Sequence, residues 1–272
     1  LGQLAAAEHL GALVDQTQPL RDRPLADGVV TDDARIRASM PTLTELLERG
    51  ASIVAASHLG RPHGRVDESL RLGPVAELLA ELLGRVVEYV PTDGVLSPEV
   101  EQSCKALAFE PGRVVLLENL RFDPGEEAND RAFAMRLADL ADDYVDDAFG
   151  AVHRAHASVA ALPEVLEEQG RTTAAGRLLQ REVDALSRLL FEPARPYVAV
   201  LGGAKVSDKL GTIGALVERV DALLVGGAMA FTFIAADGGS VGDSLVEPDR
   251  FDEVRAARDR ADERGVVLQL PE

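Results

Sequence analysis

The stretch Pro196-Tyr-Val-Ala-Val-Leu-Gly-Gly-Ala-Lys-Val-Ser-Asp-Lys209 reads as a strand, a glycine turn and the start of a helix. The run Val198 to Leu201 is evenly apolar, which predicts a strand covered on both faces, as in a parallel sheet. Gly202 and Gly203 permit a sharp turn and the close approach of a ligand. Lys205 and Lys209 stand at i and i+4, so both ammonium groups are expected on one face of the opening helix. A helix start favours anions, and two cations beside it make a candidate phosphate site. Lys105 is the chain's one other lysine. Taken alone, Gly-Gly-x-Lys describes a glycine turn with surface lysines equally well, so the rest of the chain has to decide.

The 272 residues are enough for about two domains, and 46% hydrophobic content supplies their cores. Against 28 basic residues stand 46 acidic ones, a formal charge of −18. That balance argues against nucleic acid and anionic membrane as partners, and the acid excess reads as a solvated surface. Cys104 is the sole cysteine, so no internal disulfide forms, which fits a reducing compartment such as the cytoplasm. Glu8 and His9 stand where a signal peptide would carry basic residues, and no such peptide is expected. The longest apolar run, Ala222 to Ala236, is too short to cross a bilayer and contains Gly226, Gly227 and Thr232. It reads as a core strand followed by a buried helix, in a soluble chain.

In chain order, strands are predicted at Gly11–Val14, Ser52–Ala56, Val86–Val90, Val114–Leu117, Tyr144–Val145, Tyr197–Leu201, Leu223–Val225 and Val266–Leu270. Amphipathic helices are predicted at Asp32–Arg49, Leu72–Leu83, Asp130–Leu140, Lys205–Val220 and Pro248–Arg264, the first capped by Thr31 and ended by Gly50. This alternation predicts an α/β fold of parallel, doubly wound sheets. A long helix is expected over Thr172–Leu190, broken at Glu192-Pro-Ala-Arg-Pro196, where the domain boundary is placed.

In open α/β sheets, ligands bind beyond the carboxyl ends of the strands. The strand Ser52–Ala56 leads into Ser57-His58-Leu59-Gly60-Arg61-Pro62, and Val114–Leu117 into Glu118-Asn119-Leu120-Arg121-Phe122. Tyr144–Val145 leads into a segment bearing Asp146, Asp147, His153, Arg154 and His156. Any one of these arginines, read singly, is a loop arginine paired with a carboxylate. Their coincidence at three strand ends, with Arg35 near enough on the first helix to join them, points to an anion pocket. His153 and His156 are weaker signals that cap or pack equally well, and His63 and His9 read as surface residues.

These motifs, together with Gly202 to Lys209, Gly226-Gly227-Ala228-Met229-Ala230-Phe231-Thr232-Phe233 and Ser244-Leu245-Val246-Glu247, resemble those of phosphoglycerate kinases, in the same order from about Leu10 onward. The resemblance implies two Rossmann-like lobes joined by a long helix. A phosphoglycerate-binding lobe spans 1–171, an interdomain helix and linker 172–195, and an incomplete nucleotide-binding lobe 196–272. It implies reversible phosphoryl transfer between 1,3-bisphosphoglycerate and ADP, giving 3-phosphoglycerate and ATP, by a cytoplasmic monomer whose lobes close about a hinge. Asp15, Gln16, Thr17, Arg35, His58, Leu59, Gly60, Arg61, Arg121 and Arg154 match the positions that hold phosphoglycerate. Lys205, Lys209, Gly203 and Gly227 match the nucleotide side. Arg35 and Lys209 are placed beside the transferred phosphoryl group as the catalytic pair.

The chain also departs from the family pattern. Thr17 replaces an asparagine that would contact substrate, Leu13 an arginine, and Asp146 the asparagine before Asp147. Mg2+ is expected with ATP or ADP, but its protein ligand and a later glycine loop fall in a part absent after Glu272. No residue present is therefore assigned to metal, and the polypeptide alone is expected not to turn over. A non-catalytic relative that binds a phosphorylated acid is the alternative. An unrelated dinucleotide oxidoreductase is disfavoured, because no strand leads into G-x-G-x-x-G.

Overall fold

The apolar runs pair into two parallel sheets. The structure is a computed structural model that describes residues 9–14, 25–26, 29–107 and 110–271, with backbone alone at 9–14, 25–26 and 29. The chain divides into two units, Leu1–Asp184 and Ala185–Glu272. Among the described residues no helix is long and apolar enough to cross a membrane.

The main sheet of the first unit is built from β1 (His9–Val14), β4 (Ser52–Ser57), β5 (Val87–Tyr89), β6 (Val114–Leu116), β7 (Asp143–Asp147) and β8 (Thr173–Ala175), in the spatial order β5-β6-β4-β1-β7-β8. All five ladders are parallel. Beside it, β2 (Leu25–Ala26) and β3 (Val29–Val30) form a short antiparallel pair. Successive residues of a strand point to opposite faces, and here both faces are covered. Ile53, Ala55, Val114 and Leu116 meet α1 (Ala34–Glu48) and α2 (Gly73–Leu83). Val54, Val115 and Tyr144 meet α3 (Pro98–Ala106), α5 (Arg131–Ala138) and α6 (Leu162–Glu168). Between α3 and α5 lies the single turn α4 (Pro124–Glu127). The unit is doubly wound.

Side chains fix several helix starts. Ser97 Oγ accepts from Val100 N–H at 3.3 Å, and Asp130 Oδ1 accepts from Phe133 N–H at 2.8 Å. The expected cap at Thr31 is displaced: Asp32 Oδ1 accepts from Ala34 N–H at 2.9 Å, and α1 starts from Asp33. Gly50, with φ of +86°, follows its end.

The helix expected over Thr172–Leu190 is a strand and then a helix. Thr173–Ala175 joins the sheet beside β7, and α7 runs over Arg177–Phe191. Asp147 decides the break, because its Oδ1 accepts from Leu178 and Leu179 N–H at 2.8 and 3.2 Å and so sets the helix start. Gly176 lets the chain pass; a Cβ there would lie 2.2 Å from that oxygen.

The second unit has β9 (Val198–Gly202), β10 (Ala222–Gly226) and β11 (Val267–Gln269) in the order β11-β10-β9, all parallel. Leu223, Val225, Phe233 and Val254 centre one core with α8 (Leu210–Val217), α9 (Met229–Ala236) and α10 (Phe251–Glu263). The run Ala222 to Ala236 is indeed a strand followed by a buried helix. Coverage of β9 on both faces is not what the structure shows: Val198 is 46% and Val200 79% exposed. This strand lies at the sheet edge, and the helices share a single core on one face.

Candidate functional site

In the first unit, register brings strand ends together. Val14 of β1 is level with Ser57 of β4 on one side and Asp147 of β7 on the other, while Ala55 is level with Leu116 of β6. The loops bearing His58 and Arg61, Arg121, and Arg154 therefore leave one edge of the sheet as neighbours.

Asn119 ties the first two loops. Its Nδ2 donates to Leu59 O at 2.8 Å and Leu70 O at 3.1 Å, and its Oδ1 accepts from Leu59 and Arg121 N–H, both at 3.2 Å. Arg121 is buried, and its Nη1 donates to Gly60 O at 2.6 Å. Gly60 has φ of +62°, which glycine adopts without strain, and a Cβ there would press on Leu70 Cδ2 at 2.6 Å. Arg121 Nε stands 3.5 Å from Glu127 Oε1. Burial lowers the hold of Arg121 on its proton; Arg154 and Arg61 press the same way, and Glu127 and Glu126 oppose them. Arg61 and Arg154 are thus near enough to Arg121 for their charges to act on it. Arg61 and Arg154 are exposed.

His58 is fully enclosed, with Nε2 2.6 Å from Glu126 Oε1. His156 is buried beside it, the rings meeting edge to face at 5.9 Å and its Nδ1 lying 3.6 Å from Glu126 Oε1, whereas His153 is exposed. His63 lies at the surface, as expected. Burial raises the Glu126 carboxyl, but His156, His58 and Ser158 outweigh it and hold it down to about 2. Asp146 Oδ1 accepts from Ala148 N–H at 2.8 Å, in the turn after β7. Arg35 is half-buried in the first turn of α1, its carbonyl accepting from Ser39 Oγ at 3.0 Å.

In the second unit, Gly202 of β9 is level with Gly226 of β10, which sets their two turns side by side. Gly203 O accepts from Met229 N–H at 3.0 Å. Gly227, with φ of +69°, packs so closely that a Cβ would lie 2.8 Å from Gly203 O. Lys205 and Lys209 do not open the helix from one face, contrary to expectation: they lie in the turn before α8, with Lys209 at its N-cap position. Glu247 is the reason. Its Oε2 accepts from Val206 and Ser207 N–H at 2.6 and 3.1 Å and its Oε1 from Ser207 Oγ at 2.7 Å, which holds the segment in a turn. These hydrogen bonds, with the charge of Lys205, lower the Glu247 carboxyl.

A model of the phosphoglycerate kinase family matches residues 15–272. The chain belongs to that family. It is 54% identical over 248 residues to the phosphoglycerate kinase of Thermomicrobium roseum, and 51% to that of Moorella thermoacetica. Each alignment covers 91% of this chain and 61% of the relative, so the chain spans about three fifths of these relatives' length. Among solved structures, phosphoglycerate kinase from Coxiella burnetii superposes with a TM-score of 0.79 at 38% identity, covering 97% of this chain and 63% of that one. The enzyme from Pyrococcus horikoshii gives 0.72 at 28% identity over 96% of this chain and 64% of that one.

Within this family frame, Asp15, Gln16, Thr17 and the side chains of His9 and Leu13 lie outside the described residues. His58, Leu59, Gly60, Arg61, Arg121 and Arg154 lie on loops that leave one end of the first unit's sheet, with Leu59, Gly60 and Arg121 joined by hydrogen bonds; Gly203 and Gly227 meet in the second. Sequence reasoning missed Glu126 and Glu127, and quoted Glu247 within a motif without giving it a role. All three are carboxylates in an acid-rich chain, and the sign of their role is a distant partner rather than a local pattern.

Proposed function

We propose that the first unit binds 3-phosphoglycerate and 1,3-bisphosphoglycerate, and that the second holds the phosphates of ADP and ATP, for reversible phosphoryl transfer between them. The observation carrying this reading is the placement of Arg61, Arg121 and Arg154 on the loops that leave β4, β6 and β7 at one end of the sheet. Guanidinium forks match phosphate and carboxylate oxygens bidentately, and Arg121 is prefixed by its bond to Gly60. His58, Leu59, Gly60, Asp15, Gln16 and Thr17 complete the acceptor side, and Arg35 is assigned to neutralise charge on the transferred group. On the nucleotide side, Lys205 and Lys209 flank a turn with Gly203 and Gly227 at its base, where backbone can approach phosphate closely. Phosphoryl transfer asks for positioned cations and exclusion of water rather than for a covalent partner. Division of the cations between lobes (1–171 and 196–272, with 172–195 between them) implies closure about a hinge.

Magnesium would accompany the nucleotide and neutralise its phosphates. Glu247, which holds Val206 and Ser207, is not assigned to it. A cytoplasmic, glycolytic role as a monomer goes with this reading, and relatives at this identity bearing the kinase name do not favour the non-catalytic alternative.

Calorimetric titration with 3-phosphoglycerate at low salt tests the acceptor side. Arg154→Gln is expected to weaken binding about tenfold or more, the loss of one charge-assisted contact. No heat from a wild-type chain shown folded by circular dichroism overturns the reading. A coupled assay for ATP formation tests the expectation that this polypeptide alone does not turn over.

A further inference from the structure

Glu126 is wholly enclosed and lies on α4, a single turn. Its Oε1 meets His58 Nε2 at 2.6 Å and accepts from Ser158 Oγ at 2.6 Å; its Oε2 accepts from Ser158 N–H at 3.1 Å. His156 Nδ1 stands 3.6 Å from Oε1. One buried carboxylate, carried on the chain just after Arg121, thus touches the loop following β4 and the loop following β7. All three loops bear candidate substrate-binding residues.

Two imidazoles and a carboxylate invite a metal reading, and the spacing argues against it. Two donors on one tetrahedral ion at about 2.0–2.2 Å stand about 3.3 Å apart. His58 and Glu126 are at 2.6 Å, the distance of a direct hydrogen bond with an ionised acceptor. That bond fixes Nε2 of His58 as the protonated nitrogen facing the carboxylate. Nδ1, across the ring, is buried without a hydrogen-bond partner among the described residues. Such an atom is costly unless something else engages it.

We propose that Glu126 is a positioning residue of the acceptor site: it orients His58 so that Nδ1–H donates to the anionic substrate, and through Ser158 it holds the loop that presents Arg154. This rests on the acceptor-site reading above. An anion needs a donor rather than a lone pair, and the carboxylate that engages Nε2 leaves Nδ1 as the ring nitrogen open to it.

The test follows the histidine ring nitrogens of the 272-residue chain by 15N NMR while 3-phosphoglycerate is added. In wild type, an Nε2–H signal of His58 shielded from exchange is expected throughout, with the Nδ1 signal shifting on binding. Glu126→Gln, checked for folding by circular dichroism, should lose the shielded Nε2–H signal and bind about tenfold more weakly. A Glu126→Gln chain that folds with both signals and affinity unchanged overturns the proposal. Should that variant not fold, the wild-type titration still decides: calorimetric binding with His58 Nδ1 unmoved overturns the positioning role alone, and Nδ1 moving supports it. Absence of calorimetric binding in wild type overturns the acceptor-site reading instead.

Discussion

β4 and β9 are both short, apolar strands that end in turns bearing candidate site residues, yet one is enclosed and the other half open. Ile53 and Ala55 are 0% exposed, whereas Val200 is 79% exposed. β4 lies between β1 and β6 with helices on both faces; β9 lies at an edge with helices on one. An apolar run therefore specifies a strand, while the number of faces covered is decided by where helices from elsewhere in the chain land.

The largest effect should come from the enclosed strand. Ile53→Ala is expected to cost about 3 kcal/mol of first-unit stability, measured by urea unfolding with hydrogen exchange of the β4 amides. A loss under about 1 kcal/mol would mean that β4 is less enclosed than its burial indicates. Next comes the buried carboxylate of the same unit. Folding lowers the Glu126 carboxyl from 4.5 to about 2, so its stabilisation is present above pH 4.5 and is lost as pH falls toward 2. Glu126→Gln should destabilise by about 3 kcal/mol near pH 7, with the gap to wild type closing below pH 4.5; a gap independent of pH would refute the ionised state. In the second unit, Gly227→Ala places a Cβ 2.8 Å from Gly203 O at φ of +69° and should cost about 2 kcal/mol, read as a lower urea midpoint. The smallest change belongs to the open face: Val200→Thr should move stability by no more than about 0.5 kcal/mol while raising solubility. A large loss there would show that the face is covered in solution.

Strand positions were legible because a buried parallel strand must be apolar and is followed by a break. The helix assigned to Thr172–Leu190 failed at its start because β7 offered an unpaired edge and Asp147 a cap, neither of which is visible in Thr172 to Gly176. The i, i+4 reading of Lys205 and Lys209 failed for the same kind of reason: Glu247, far along the chain, holds their segment in a turn. Arginines at strand ends stood out because fold geometry gives that edge a meaning. Glu126 did not, since one more acidic residue among 46 carries no weight until its histidine partners are seen in space.

The bond from Met229 N–H to Gly203 O has a practical consequence. It makes one amide a reporter on a turn remote from it in sequence. Deuterium uptake at Met229 should register any ligand that tightens or loosens the Gly203 turn, even where the lysines beside that turn give no signal of their own.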